Sequence, residues 1–242
     1  MIFPADFEDK IICGDCIEVM KEIPDQSIDL VITSPPYNLN IRKTFGNTAN
    51  WGGKWNSSKL QSTGYDQHND YMPEDKYIAW QKSVLAECFR TLKDNGAIFY
   101  NHKWRVQNGL FQMRPEIVAD LPVRQIIIWK KAGGINFNKG YFLPTYEVIY
   151  LIAKSKFELA PTMNRYGDVW EITQERKSWH PAPFPLEIAS RCVRSTMGNL
   201  ILDPFIGSGT TALAAKQAGK KYIGIDISQD YCKRAEERIT SS

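Results

Sequence analysis

The chain has 242 residues and a formal net charge of +3, from 30 Lys and Arg against 27 Asp and Glu. That length suits one α/β domain large enough to bury most of its unfolded surface, and 43% hydrophobic with 24% charged residues is ordinary for a soluble protein. No apolar stretch reaches membrane-spanning length and Met1–Asp6 lacks a signal-peptide core, so the expectation is a cytoplasmic protein without a membrane partner. The five cysteines (13, 16, 88, 192, 232) form no disulfide framework. A lone Cys13-x-x-Cys16 and three scattered histidines (68, 102, 180) predict no metal site.

Short apolar runs bounded by turn signals recur at 10–13, 28–33, 97–102, 125–130, 146–153, 200–202 and 222–226. Interleaved with helical patterns, these seven runs predict a mostly parallel sheet covered on both faces. The first run leads into Gly14-Asp15-Cys16. The second leads into Thr33-Ser-Pro-Pro-Tyr37, where two successive prolines fix φ and remove two backbone donors. The result is a stiff corner with outward carbonyls, the Ser34 hydroxyl on one side and the Tyr37 ring on the other. Such a corner suits a planar group bearing an exocyclic NH₂, with Pro35 and Ser34 accepting its hydrogens and Tyr37 stacking on its face. Pro35-Pro36 after a strand is also an ordinary turn signal.

Residues 39–75 are rich in Asn, Gly, Ser and Trp and carry no period, which predicts a mobile loop. Its charge is balanced, but Phe45, Trp51, Trp55 and Tyr65 interleave with Arg42, Lys43 and Lys54, as in a loop that orders over nucleic acid. A helix follows over Asp75–Lys93, with an apolar stripe of Ile78, Val84, Leu85, Phe89 and Leu92, and Asn95-Gly96 is read as its stop. Between Lys130 and Ala182 eight basic residues (130, 131, 139, 154, 156, 165, 176, 177) face five acidic ones (147, 158, 168, 171, 175), a local excess equal to that of the whole chain. Further helices are predicted over 185–197, 209–219 and 228–240.

Asn199–Asp226 reads as a strand, then Asp203-Pro-Phe-Ile-Gly-Ser-Gly-Thr-Thr211, a helix, and a strand closing on Asp226. Gly207 and Gly209 allow a tight turn and close approach to a ligand. Asp226 can accept both hydroxyls of a ribose, the βαβ logic of a nucleoside cofactor site. No Lys follows Gly209, so this is not a phosphate loop, and Ala212 stands where the dinucleotide pattern needs its third glycine.

Together, Ser34-Pro-Pro-Tyr37 and Phe205-x-Gly-x-Gly209 resemble the DNA amino-methyltransferases that use S-adenosylmethionine, whose motifs are (Asp/Asn/Ser)-Pro-Pro-aromatic and Phe-x-Gly-x-Gly. With the Pro-Pro motif N-terminal and the glycine motif C-terminal, the order is that of the permuted β class. The resemblance runs from Ile11 to about Ile239 with gaps near 40–75 and 154–178. It implies a single doubly wound, Rossmann-like methyltransferase domain over 1–242, with both motifs at the carboxyl edge of the sheet. It also implies a short target-recognition region within 130–179.

The activity implied is methyl transfer to the exocyclic amine of a base flipped out of double-stranded DNA, by direct in-line displacement without a covalent enzyme intermediate. Ser34, Pro35, Pro36 and Tyr37 are the expected catalytic residues. The expected cofactor residues are Asp15 and Cys16 near the adenine, Asp226 on the ribose, and Asp203, Phe205, Gly207, Ser208, Gly209, Thr210 and Thr211 around the methionine moiety. His180 joins them, because Phe184 stands where many relatives carry a carboxylate-binding Lys. Arg42, Lys43, Lys130, Lys131, Arg176 and Lys177 are expected on phosphates. Ser in the first motif position resembles the cytosine-N4 branch, with adenine N6 as the alternative. RNA or protein-glutamine methylation, performed by relatives with Asn-Pro-Pro-Tyr, is the more remote one. A homodimer and a cognate restriction endonuclease acting on the same site complete the partners that the resemblance allows.

Overall fold

The computed structural model describes residues 1–38, 72–107, 109–133, 139–174 and 184–242. Along the chain run β1 (Lys10–Cys13), α1 (Cys16–Lys21), β2 (Ile28–Thr33), α2 (Glu74–Thr91), β3 (Leu92–His102), β4 (Arg105–Gln107), β5 (Leu110–Gln112), β6 (Val123–Lys130), β7 (Tyr146–Ala153), β8 (Val169–Glu171), α3 (Leu186–Arg194), β9 (Leu200–Asp203), α4 (Thr210–Gln217), β10 (Lys221–Asp226) and α5 (Gln229–Thr240).

One sheet has eight strands in the order β1-β10-β9-β2-β3-β7-β6-β8, and β4 and β5 form a separate hairpin. All pairings in that sheet are parallel except β3/β7 and β7/β6. The seven predicted strands are present. The eighth, β8, adds three residues to the far edge, where only Trp170 is buried and both neighbours are exposed. A three-residue strand with one buried side chain has too little pattern to be read in sequence.

Alternation along the strands divides the core between two faces. Val31, Ile98 and Tyr100 point to the side covered by Tyr77, Val84, Leu85 and Cys88 of α2. Leu30, Ile32, Ala97 and Phe99 point to the side covered by Ile188, Cys192 and Val193 of α3 and by Ala214 and Ala215 of α4. A doubly wound sheet follows from that period of two.

The structure corrects the end of α2. The helix stops at Thr91, Leu92 is already extended, and Asn95-Gly96 lie inside β3. Gly96 is required there by close approach, since a Cβ would sit 3.0 Å from the Asp29 carbonyl of β2 and 2.9 Å from the Leu92 side chain. Asp29 also joins distant parts of the chain. Its carboxylate accepts from Asn199 N (3.0 Å) and Leu200 N (2.9 Å), fixing the start of β9 beside β2.

These pairings bring the ends of β1, β10, β9, β2 and β3 to one edge, together with the start of the antiparallel β7 and the end of β6. Chain direction across the sheet reverses between β9 and β2, the place where open α/β sheets bind ligands. No helix among the described residues is long and apolar enough to cross a membrane.

Candidate active site

On the β9 and β10 side of the edge, the glycine loop is shaped by two left-handed residues, Gly207 (φ +47°) and Gly209 (φ +79°). A Cβ on Gly209 would meet the Ala235 Cβ of α5 at 3.1 Å. Asp203 holds the loop from inside, its two oxygens accepting from Phe205 N (3.0 Å) and Thr211 Oγ1 (2.6 Å). Burial pushes the Asp203 carboxyl up to about 7, against the opposing effect of those two bonds. The loop is tied to β10 by Ile206 N to Ile225 O (2.9 Å) and Gly207 N to Asp226 Oδ2 (3.0 Å). Arg238 of α5 reaches back to donate to Ser208 O and Thr210 Oγ1, both at 3.0 Å.

This geometry revises several expected roles. The hydroxyls of Ser208, Thr210 and Thr211 are buried and engaged with Arg238 or Asp203. They, and Asp203 itself, build the loop and do not project from it. Arg238 was not evident in the sequence, because a basic residue near a helix end ordinarily caps its own helix. Phe205 packs edge-on to Trp80 (5.5 Å, 70°). Cys16 is buried and its thiol is pushed up to about 12 by desolvation, so it serves as a small core residue.

Asp226 closes β10 and Asp15 follows β1 as the cap of α1. Cys13 of β1 pairs in register with Asp226, which sets Asp15 beside the end of β10. The Asp15 carboxylate caps α1 through Ile17 N (2.9 Å) and Glu18 N (3.2 Å). Asp226 accepts from Gly207 N and Ser228 N (2.9 Å), and burial raises its pKa. Ile227 N is a third backbone donor, so of the roughly four acceptor sites of a carboxylate about one remains for a ligand hydroxyl. An acceptor of that kind, at a strand end beside a loop turned by two glycines, fits the nucleoside part of S-adenosylmethionine.

Across the switch point, the Pro-Pro corner is pinned carbonyl by carbonyl. Tyr77 Oη donates to Pro36 O (2.8 Å), Arg114 Nη1 to Tyr37 O (2.8 Å) and Arg105 Nη1 to Asn38 O (3.0 Å). Asn38 adopts φ +57° and clasps the Met72 backbone through both side-chain atoms, at 2.9 and 2.7 Å. Of these four successive carbonyls, only that of Pro35 has no hydrogen-bond partner among the described residues.

Beneath the corner lies a polar cluster. Tyr37 Oη donates to Glu147 Oε2 (3.1 Å) and meets Ser34 Oγ at 2.9 Å. Asn101 Nδ2 reaches Tyr37 Oη (2.5 Å), Glu147 Oε2 (3.1 Å) and Ser34 Oγ (3.2 Å). Lys131 closes the cluster on Glu147 Oε1 at 2.7 Å, with side chains only 9% and 10% exposed. His102 lies 5.5 Å from the Tyr37 ring. Burial, reinforced by Arg114 and Arg105, pushes it down to about 3, which makes it neutral. Burial likewise lowers the pKa of Lys103, which faces Glu147, Lys131 and Arg105.

Two sequence expectations change here. Tyr37 is only 8% exposed and is anchored through its hydroxyl, so its ring forms a fixed wall of the corner. Lys131 is committed to Glu147, a contact it would have to leave before reaching a phosphate. Lys130 is half-exposed in an ion pair with Glu171 (2.7 Å) and stays near the surface. Arg42, Lys43, Arg176, Lys177 and His180, and nearly all of the 39–75 loop, lie outside the described residues. Asn101, Lys103, Arg105, Arg114 and Glu147 join the site with no motif to announce them.

The model of the family described as DNA methylase, covering N6 and N4 types, matches residues 28–237. A Type II methyltransferase of Bacillus subtilis, M.BglII, is 30% identical over 95% of this chain and 68% of its own length. M.HpaI of Haemophilus parainfluenzae, also a Type II methyltransferase, is 26% identical over 97% and 75%. Among solved structures, the PvuII DNA methyltransferase, cytosine-N4-specific, aligns with a TM-score of 0.72 at 17% identity over 96% of this chain and 89% of that one. TTHA0409 of Thermus thermophilus, solved with S-adenosyl-L-methionine, aligns at 0.66 and 25% identity over 96% and 93%. With the permuted motif order, the switch-point cleft and a family match over most of its length, the chain belongs to the DNA methylase family of N6 and N4 amino-methyltransferases and uses S-adenosylmethionine.

Proposed function

We propose that the protein methylates the N4 amine of cytosine in double-stranded DNA, at a site-specific target in the manner of a Type II modification enzyme. The observation that carries this reading is the corner itself. The Pro35 carbonyl is the one without a partner among the described residues, and Ser34, not a carboxylate, stands beside it as the second acceptor.

The bound cofactor supplies an activated methyl group on a sulfonium. The chain supplies position. A base amine is a weak nucleophile because its lone pair is delocalised into the ring, and hydrogen bonds from its two N–H groups to Pro35 O and Ser34 Oγ favour a pyramidal nitrogen. Fixing both reactants in one cleft accounts for much of the acceleration. The amine sits within a duplex, so the base is flipped to reach the corner, where Tyr37 and Pro36 form its wall. Asp226 and Asp15 hold the nucleoside end of the cofactor, and Phe205, Gly207 and Gly209 border the rest.

Lys130 at the surface, with Arg42, Lys43, Arg176 and Lys177, is assigned to DNA phosphates, and residues 130–179 with the 39–75 loop to target recognition. The Type II relatives make a cognate endonuclease the natural partner, and a homodimer and a cytoplasmic location complete the reading. Digestion of methylated DNA to nucleosides tests the target atom: N4-methylcytosine is expected, and N6-methyladenine in its place overturns it. Neutralising two of the phosphate residues should flatten the log–log salt dependence of DNA affinity by about two units.

A further inference from the structure

We infer that Glu147, oriented by Lys131, is a positioning residue that fixes the direction of a hydrogen-bond chain, Ser34 to Tyr37 to Glu147, so that Ser34 presents an acceptor to the base amine. The inference rests on the reading of Ser34 as one of the two amine acceptors.

The proton bookkeeping follows from the donor inventory. Glu147, paired with the Lys131 ammonium at 2.7 Å, is a carboxylate and can only accept. Tyr37 has one hydroxyl hydrogen, and it points to Glu147 Oε2 at 3.1 Å. In the 2.9 Å contact between Ser34 Oγ and Tyr37 Oη either atom could donate in isolation. With the Tyr37 hydrogen already committed, Ser34 must be the donor. Asn101 Nδ2, with two hydrogens for three acceptors within reach, can only donate to this cluster, so it takes no hydrogen from Tyr37 or Ser34. The Ser34 oxygen, its hydrogen turned inward, keeps lone-pair capacity facing the cleft.

This matters because serine is ambivalent. A carboxylate at position 34 would be an acceptor in any surroundings, whereas a hydroxyl can turn its hydrogen toward the ligand. A hydrogen aimed at an amine with a delocalised lone pair forms no useful bond, and the amine then loses one of its two acceptors. The buried ion pair therefore acts across the sheet, from β7 and the residue following β6, on a hydroxyl at the end of β2.

Glu147→Gln tests the direction of the chain with little change in shape. Lys131 attracts the amide oxygen, which leaves the amide NH₂ facing Tyr37, and the chain reverses. We expect kcat to fall about tenfold, the worth of one well-placed hydrogen bond. The KM for DNA and the Kd for S-adenosylmethionine, measured on folded protein, should stay at wild-type values, while the melting temperature falls because the buried Lys131 ammonium loses its carboxylate. Tyr37→Phe removes the middle link and keeps the ring, and should give a similar loss. The Tyr37→Phe/Glu147→Gln double variant should be no slower than either single one, since both act through the same hydroxyl.

Wild-type kcat in Glu147→Gln overturns the inference, as do losses that multiply in the double variant, or a fall in cofactor affinity that accounts for the lost rate. If Glu147→Gln does not fold, Tyr37→Phe carries the test alone, and wild-type turnover in it overturns the chain. Ser34→Ala separates this inference from the reading beneath it. Full activity in Ser34→Ala refutes Ser34 as an amine acceptor. A slow Ser34→Ala beside normal Glu147→Gln and Tyr37→Phe refutes only the directed chain.

Discussion

In the cofactor half of the edge, the side-chain bonds that shape the glycine loop join residues 2 to 30 positions apart, from Asp203 with Phe205 to Arg238 with Ser208. In the base half, the bonds that pin the Pro-Pro corner from outside it join residues 34 to 110 positions apart, from Asn38 with Met72 to Tyr37 with Glu147. The first half is a local turn between β9, α4 and β10 that needs two left-handed glycines and an acidic residue at each strand end. The second is assembled by the sheet and its neighbours, with β3, β4, α2 and β7 each lending a side chain. Local construction lets one half be altered without disturbing the other; long-range construction makes the corner sensitive to changes far from it.

The two halves should also respond to pH in opposite senses. In the base half, burial holds His102 at about 3 against 6.5 in the unfolded chain, so the unfolded state binds the extra proton and stability is lost as pH falls from 6.5 toward 3. The contribution is roughly 5 kcal/mol across that window. Denaturant titrations of His102→Gln should show the wild type's advantage at pH 7 shrinking by that amount in acid. A difference independent of pH would mean that His102 titrates normally.

In the cofactor half, burial raises the Asp203 carboxyl to about 7 from 3.8, so the folded state holds the extra proton and stability falls as pH rises from 3.8 to 7. Asp203→Asn should therefore match the wild type in acid, below about pH 4, and exceed it by roughly 4 kcal/mol at about pH 8. A gain already present in acid would locate the effect in packing and not in the buried charge.

Arg114 tests how far the base half depends on distant residues. It is 6% exposed, grips Glu74 with two nitrogens, donates to Tyr37 O and lies 4.4 Å from the Tyr77 ring centre. Arg114→Met should cost about 3 kcal/mol, the lower end for a broken buried pair because Glu74 is half-exposed. Turnover should fall with it, while cofactor affinity per folded molecule, measured by calorimetry, stays unchanged. A loss of cofactor affinity would show that the halves are coupled.

Asp226→Ala should do the reverse, weakening S-adenosylmethionine by about 1–3 kcal/mol and leaving the corner intact. Unchanged affinity in the folded variant removes Asp226 from the site. The smallest expected effect is Gly209→Ala, which places a Cβ at φ +79° and 3.1 Å from Ala235 for about 1–2 kcal/mol of stability. Thermal melting that shows no change would mean that the loop tolerates a side chain there.

The sequence alone determined the seven strands, the positions of α2 to α5, the permuted motif order and the residues of both motifs, with Asp226 and Asp15 as the acidic neighbours. These were legible because each depends on nearby residues: alternation along a strand, a helical stripe, prolines that fix φ, and glycines that permit a turn. Only the tertiary structure decided which hydroxyls face the cleft. Ser208, Thr210 and Thr211 turn inward because Arg238 and Asp203 hold them, and Lys131 leaves the surface because β7 sets Glu147 beside it. Asn101 and Glu147 had no local signal at all. A polar residue in a buried strand has the same sequence pattern whether or not it supports a site, and what distinguishes these two is the strand order that brings β3 and β7 beneath the end of β2.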